Sequence, residues 1–207
     1  FNLIKYKNKI IEIMEVLLDP QKQYTYADYL TWLDDKRCEL INGFVNMMSA
    51  PKIKHQEISM NLSGALFIII KKNKGKCKIY SAPFDVRLPK NGEKDDNLIY
   101  TVVQPDICII CDPSKLEDER GCLGAPDFIA EIQSASTAKY DLHEKFMLYE
   151  TVGVREYWVV FPYEKSIIQF ILQPDGKYDK GTLYETGKVP IHIFDGIEID
   201  LKDIYNE

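Results

Sequence analysis

The chain has 207 residues, 45% of them hydrophobic and 12% aromatic, with a formal net charge of −6. That length supports one sizeable core and is short for two, and the negative balance excludes a protein that coats nucleic acid by charge alone, because such binding rests on phosphate neutralisation. No run reaches the roughly 20 apolar residues of a membrane span, since Leu66-Phe67-Ile68-Ile69-Ile70 is stopped at once by Lys71-Lys72. The opening Phe1-Asn2-Leu3-Ile4-Lys5 lacks the apolar core of a secretory leader, so a cytoplasmic location without a membrane partner is expected. Five cysteines scattered among apolar positions read as buried, reduced thiols.

In chain order, residues 1–23 read as an N-terminal extension and 24–207 as a single domain. The Ile and Leu spacing over residues 1–18 suits an amphipathic helix. A short helix is predicted over 25–33, with Thr25 as N-cap and Asp28 three residues later. Residues 37–49 look like two short strands around Asn42-Gly43, a strong hairpin-turn pair. A long helix is predicted over 51–73, its inner stripe being Ile58, Leu62, Ala65, Leu66 and Ile69. His55 extends that stripe backwards by three residues, as a structural histidine or as an accessory group of a site. Glu57 falls off the stripe, toward solvent. Lys71, Lys72, Lys74, Lys76 and Lys78 cluster behind the helix, as a solvated loop or as a patch for phosphates.

The next strand is predicted over 77–88, with Phe84, Val86 and Leu88 on one face and Asp85 and Arg87 on the other. Those two charges either satisfy one another or act apart, Asp85 in a metal cluster and Arg87 on a phosphate. A charged, exposed loop over 89–97 follows. Two apolar runs, Ile107 to Cys111 and Phe128 to Ile132, flank a charged crossover over 113–124. Cys108 and Cys111 have a zinc-like spacing but would point to opposite faces of a strand, which argues against a zinc site. A helix follows residue 137 and stops near Gly153. Tyr157 to Phe161 is a buried strand paired in a hairpin with Ile167 to Leu172. A turn at Pro174-Asp175-Gly176-Lys177, a segment over 178–185, and short strands with a terminal turn over 189–205 complete the chain. It contains no repeats and no low-complexity tract.

The chemistry concentrates between Gln104 and Tyr149. Asp106 opens the first apolar run, and Glu131 sits within the second, two residues before Gln133 on the same face. An ionised carboxylate on a buried strand costs several kcal/mol unless it is paired, hydrogen-bonded or bound to a cation. If the two strands are neighbours, both acids converge on one hard cation. On the following helix Ala138, Leu142, Lys145 and Tyr149 form an inward stripe, which turns Lys145 toward the acids as a counter-ion or as a catalytic group. Pairing of Lys145 with Asp141, four residues earlier, is the competing arrangement.

The run from Val103 to Val160, with Gln104-Pro105-Asp106, Glu131-Ile132-Gln133 and Lys145 in order, resembles the Uma2 family within the PD-(D/E)XK restriction-endonuclease-like superfamily. Weaker likeness upstream lies in Tyr26-Ala27-Asp28-Tyr29-Leu30, Cys38-Glu39-Leu40-Ile41-Asn42-Gly43 and Pro83-Phe84-Asp85-Val86-Arg87-Leu88, so that it spans residues 24–205. The resemblance implies an α/β fold with a restriction-endonuclease-like core, helix, three strands, helix, strand, and extra antiparallel strands at both ends. It implies descent from nucleases, which is not itself activity. One departure is plain: the superfamily pattern ends Glu-x-Lys, whereas this chain has Gln133. Some members supply that lysine from the following helix, which points to Lys145. An acid outside the two core strands often joins the metal site in such folds, which marks Glu39 as a third ligand or as a salt-bridged strand residue.

The expected function is Mg²⁺- or Mn²⁺-dependent hydrolysis of phosphodiester bonds, with DNA as the substrate. Asp106 and Glu131 would hold the metal, Gln133 would position a water, and Lys145 would stabilise the transition state or orient the nucleophile. Duplex cleavage would call for a two-fold homodimer. The alternative is a catalytically silent module that binds nucleic acid or protein. A carboxylate-pair glycosidase would need a sugar cleft with aromatic platforms, which nothing in the sequence specifies.

Overall fold

The computed structural model describes residues 18–32, 37–73, 75–134 and 138–206, with the backbone alone over 138–142. The predicted lead helix over 1–18 lies almost wholly outside the described residues, as do Leu33 and Lys74 and the side chains of Ala138, Asp141 and Leu142.

Thr25 caps helix α1 (Tyr26–Tyr29) in a capping box: its side chain accepts from the Asp28 N–H, and the Asp28 carboxylate accepts from the Thr25 N–H. Strands β1 (Cys38–Ile41) and β2 (Phe44–Met47) form the expected hairpin. Both turn residues have left-handed backbones, Asn42 at φ 51° and Gly43 at φ 85°, the geometry that matches a two-residue turn to strand twist. Helix α2 (Ile53–Asn73) buries Ile58, Leu62, Leu66 and Ile70. The buried stripe thus follows a strict i+4 row, and Ala65 and Ile69 flank it half-buried.

Cys77 to Leu88 does not form one strand. β3 (Lys78–Ser81) belongs to one sheet and β4 (Val86–Arg87) to another, because Pro83 has no N–H to continue the ladder. β5 (Val102–Val103), β6 (Ile107–Ile110), β7 (Cys122–Leu123) and β8 (Phe128–Ile132) follow, with two short 3-10 turns at Asp96–Leu98 and Pro113–Leu116. Helix α3 (Ala138–Val152) then carries the chain from β8 to its parallel neighbour β9 (Glu156–Phe161). A parallel pair cannot be joined by a tight turn, so the helix is the crossover. β10 (Ser166–Ile171) and β11 (Thr182–Tyr184) extend the sheet, and β12 (Lys188–Ile191), β13 (Ile197–Asp200) and helix α4 (Leu201–Tyr205) close the chain.

The central sheet has the order β11-β10-β9-β8-β6-β3, and a five-stranded sheet has the order β2-β1-β5-β4-β7. The expected succession helix, three strands, helix, strand is present as α2, β3, β6, β8, α3 and β9. On one face of the central sheet, the α2 stripe packs with Ile107, Ile109, Phe128, Ala130, Trp158 and Val160, and with residues from β12 to α4. Each such aliphatic side chain contributes about 2 kcal/mol by leaving water. The other face buries Cys108, Ile129, Tyr157 and Val159 with Tyr149 of α3 and Val86, Val103 and Cys122 of the smaller sheet. The β6–β8 register pairs Ile107 with Ala130 and Cys108 with Ile129.

The cysteine expectation is corrected in one respect. Cys38, Cys108 and Cys122 are free and buried, but Cys77 and Cys111 form a disulfide. Lys78 pairs with Ile110 in the antiparallel β3–β6 ladder, so the next residues outward, Cys77 and Cys111, fall directly opposite one another.

Candidate active site

Extending the β6–β8 register by one residue sets Asp106 opposite Glu131, at the end of the sheet that α2 and β2 overhang. Asp106 Oδ2 accepts the backbone N–H of Ile132 at 2.8 Å and lies 3.1 Å from His55 Nε2. Burial disfavours the charged imidazole of His55, but the Asp106 carboxylate outweighs it, and the net shift is upward. The first-turn position of His55 on α2, one turn before Ile58, is what brings it over the β6 entry.

Glu131 is only 7% exposed. Its Oε1 accepts from Lys145 Nζ at 3.0 Å and from the Tyr149 hydroxyl at 2.6 Å, two side chains one turn apart on α3. Burial pushes its carboxyl up to about 7; Lys145 opposes the shift, Asp106 and Glu39 add to it, and the Tyr149 hydrogen bond lowers it again. Burial, then the charge of Glu131, holds the Tyr149 hydroxyl well above its ordinary range, so Tyr149 stays a donor. Lys145 Nζ also donates to Glu39 Oε1 at 3.1 Å, and that oxygen accepts the Gln104 backbone N–H at 2.8 Å. Lys145 is thus a buried cation between two buried acids.

Gln133, next to Ile132, donates its backbone N–H to Val160 O, while its side-chain Oε1 is buried without a hydrogen-bond partner, as is His55 Nδ1. Glu39, His55, Asp106, Glu131, Gln133 and Lys145 line one pocket of about 550 Å³, walled by β1, β2, the first half of α2 and the ends of β6 and β8. A volume of that order holds one nucleotide-sized group.

The family model described as "Putative restriction endonuclease", Uma2, matches residues 26–202. The chain belongs to the Uma2 family. A solved structure described as "a putative nuclease belonging to DUF820" from Anabaena variabilis ATCC 29413 superposes with a TM-score of 0.69 at 16% identity, covering 88% of this chain and 97% of that one. No curated protein matches. The fold of this Uma2 chain is therefore the restriction-endonuclease-like core with added antiparallel strands.

Within the Uma2 chain, Asp106, Glu131, Gln133, Lys145, Glu39 and His55 come together at the pocket. Asp85 and Arg87 are not among its lining residues, nor do they bond one another. Asp85 accepts from the Tyr29 hydroxyl at 3.2 Å and from Gln104 Nε2 at 3.0 Å. Arg87 is 1% exposed and makes a two-pronged pair with Asp118 at 2.6 and 2.7 Å, holding the Asp118 carboxyl well below the ordinary range. The lysine cluster sits at the other end of α2, roughly 24 Å along the axis from His55 at 1.5 Å per residue; Lys71, Lys72, Lys76 and Lys78 are exposed there.

Sequence reasoning did not assign Tyr149, Gln104 or Arg37 to the site. Tyr149 was legible as the next turn after Lys145, and Arg37 as the residue two before Glu39, on the same strand face. Gln104 could not be found that way, since its role depends on β5 lying beside β1.

Among the described residues, no group of three or more His, Cys, Asp and Glu side chains is arranged to hold a metal ion. The donor chemistry nonetheless fits a hard divalent cation: two carboxylates, Asp106 and Glu131, and an amide oxygen, Gln133 Oε1, that has no other partner. The Glu39 oxygen bonded in the site is engaged by Lys145 and by the Gln104 N–H.

Proposed function

We propose that this chain is a Mg²⁺- or Mn²⁺-dependent nuclease that hydrolyses phosphodiester bonds of DNA. The observation that carries the reading is the β6–β8 register, which sets Asp106 against Glu131 in a pocket shared with Gln133 and Lys145. Asp106 and Glu131 would hold the cation, which when bound supplies a water of lowered pKa and neutralises charge on the scissile phosphate. Gln133 presents its unpartnered Oε1 as an acceptor that orients the attacking water. Lys145 keeps Glu131 aligned and places positive charge beside the developing phosphorane. Tyr149 fixes the same carboxylate through its hydroxyl. Action on duplex DNA calls for two such sites, and a two-fold homodimer in the cytoplasm belongs to this proposal.

A second reading has its own support. Lys145 is held by two carboxylates and Gln133 replaces the usual lysine, an arrangement that also suits a silent module that binds nucleic acid or a protein without cutting. One experiment separates the two: thermal unfolding with and without Mn²⁺, on the wild type and on Asp106→Ala, with DNA cleavage assayed on the same samples. A rise in midpoint and cleavage, both lost in the variant, is the expected result for the enzyme. No metal effect at millimolar Mn²⁺ in the wild type would put the silent module in front.

A further inference from the structure

We infer that Arg37 is the phosphate-docking residue of this pocket, gripping the two non-bridging oxygens of a nucleic-acid phosphate; the inference rests on the nuclease reading above and names the group that receives its substrate. The four arginines of the chain behave differently. Arg87 pairs with Asp118, Arg120 with Asp96 and Asp118, and Arg155 with Asp127. Arg37 alone, among the described residues, has no carboxylate partner. Its Nε and one Nη2 N–H both point at a single neutral acceptor, Gln104 Oε1, each at 3.4 Å, near the outer limit of a hydrogen bond. A guanidinium carries five donors, so most of its capacity remains.

Its position is fixed rather than incidental. The Arg37 carbonyl accepts the Met48 N–H at 2.9 Å, one step beyond the Cys38–Met47 pair of the hairpin, which locks the backbone. Gln104 is itself held by bonds from its Nε2 to Asp85 and to the Tyr29 hydroxyl, so its oxygen is aimed at Arg37. The alternation of a strand places the side chain on the same face as Glu39, and Arg37 lines the pocket half-buried. Lys145 is already shared between two acids, which leaves Arg37 and the exposed Lys52 as the cations of the pocket available to an incoming anion. A planar fork with spare donors suits a phosphodiester better than an ammonium does.

The test is binding of a short fluorescein-labelled DNA duplex, read by anisotropy in Ca²⁺ and in EDTA over a range of salt. Arg37→Ala is expected to weaken binding about 10-fold or more and to reduce the slope of log K against log salt by about 0.9, the share of one phosphate contact. Arg37→Lys, which keeps the charge and loses the fork, should restore the slope without the full affinity, and it carries the test if the alanine variant does not fold. Arg155→Ala, which removes an arginine already paired with Asp127, should bind as the wild type does. Wild-type binding with Arg37→Ala or Arg37→Lys indistinguishable from it overturns this inference and leaves the nuclease reading standing. Absence of wild-type binding in either condition overturns the nuclease reading and this inference with it.

Discussion

Replacing Lys145 by methionine keeps the aliphatic stem and removes the one cation shown between Glu39, 4% exposed, and Glu131, 7% exposed. Leaving a buried charge without its partner costs about 3–5 kcal/mol. Proton uptake limits that cost and makes it depend on pH. Burial already pushes Glu131 up to about 7 with Lys145 in place, against an ordinary value of 4.5. Without the lysine its folded-state pKa rises further. A raised folded pKa means stability that is full at low pH and is lost as pH rises through that pKa. Below pH 7 both proteins carry a protonated Glu131, and the variant's deficit is flat. Above pH 7 the wild type ionises Glu131 beside its lysine while the variant resists, so the deficit deepens by about 1.36 kcal/mol per pH unit. Urea unfolding in EDTA at pH 6 and pH 8.5 should therefore show a deficit larger by up to about 2 kcal/mol at the higher pH. In a thermal scan each kcal/mol corresponds to about 2–4 °C for a chain of this size. A deficit under about 1 kcal/mol at both pH values would mean that the two acids are solvated or paired elsewhere, and would refute the reasoning.

Asp106→Ala should abolish any Mn²⁺-dependent rise in unfolding midpoint, read by the scan already described. Asp118→Asn should destabilise the fold by about 2–3 kcal/mol in urea, because Arg87 is buried and loses its charged partner; the cost is below the full one because Asp118 is 34% exposed. The same pair gives an acid limb: Asp118 is held low, chiefly by its bond to Arg87, so its contribution is complete above the ordinary carboxylate range and fades as pH falls toward its folded value. Leu62→Ala, at 0% exposure under the sheet, should cost about 2–5 kcal/mol, visible as a lower urea midpoint with an unchanged slope. Gly121→Ala should also unfold earlier, since its φ is 104° and a Cβ would press on the Asp85 carbonyl oxygen.

Local signals in the sequence carried the elements whose causes are local. The Thr25–Asp28 capping box, the Asn42-Gly43 turn, the α2 stripe and the two apolar runs each owe their form to neighbours in the chain, and each is where the periodicity puts it. Pro83 shows the limit: its missing N–H was legible, but the chain's departure from one sheet for another depends on β5 and β7 waiting beside β4. The face of Glu131 was legible from alternation, as was the inward turn of Lys145 from helical spacing.

Pairing across the sheet was decided by tertiary structure alone. The antiparallel ladders bring Asp106 opposite Glu131 and Cys77 opposite Cys111, across 25 and 34 residues of sequence; no tight turn joins either pair of strands, so which strand lies beside which, and hence which residues face one another, could not be read from either strand by itself. Charge assignment was decided there too. Arg87 and Asp85 are two residues apart in the chain, yet Arg87 finds Asp118 and Asp85 finds Tyr29 and Gln104, since a buried charge takes whichever partner the fold delivers within hydrogen-bonding reach. The sequence therefore determined which residues could do chemistry. The fold determined which of them meet: Glu39 with Lys145, His55 with Asp106, and Arg37 with Gln104.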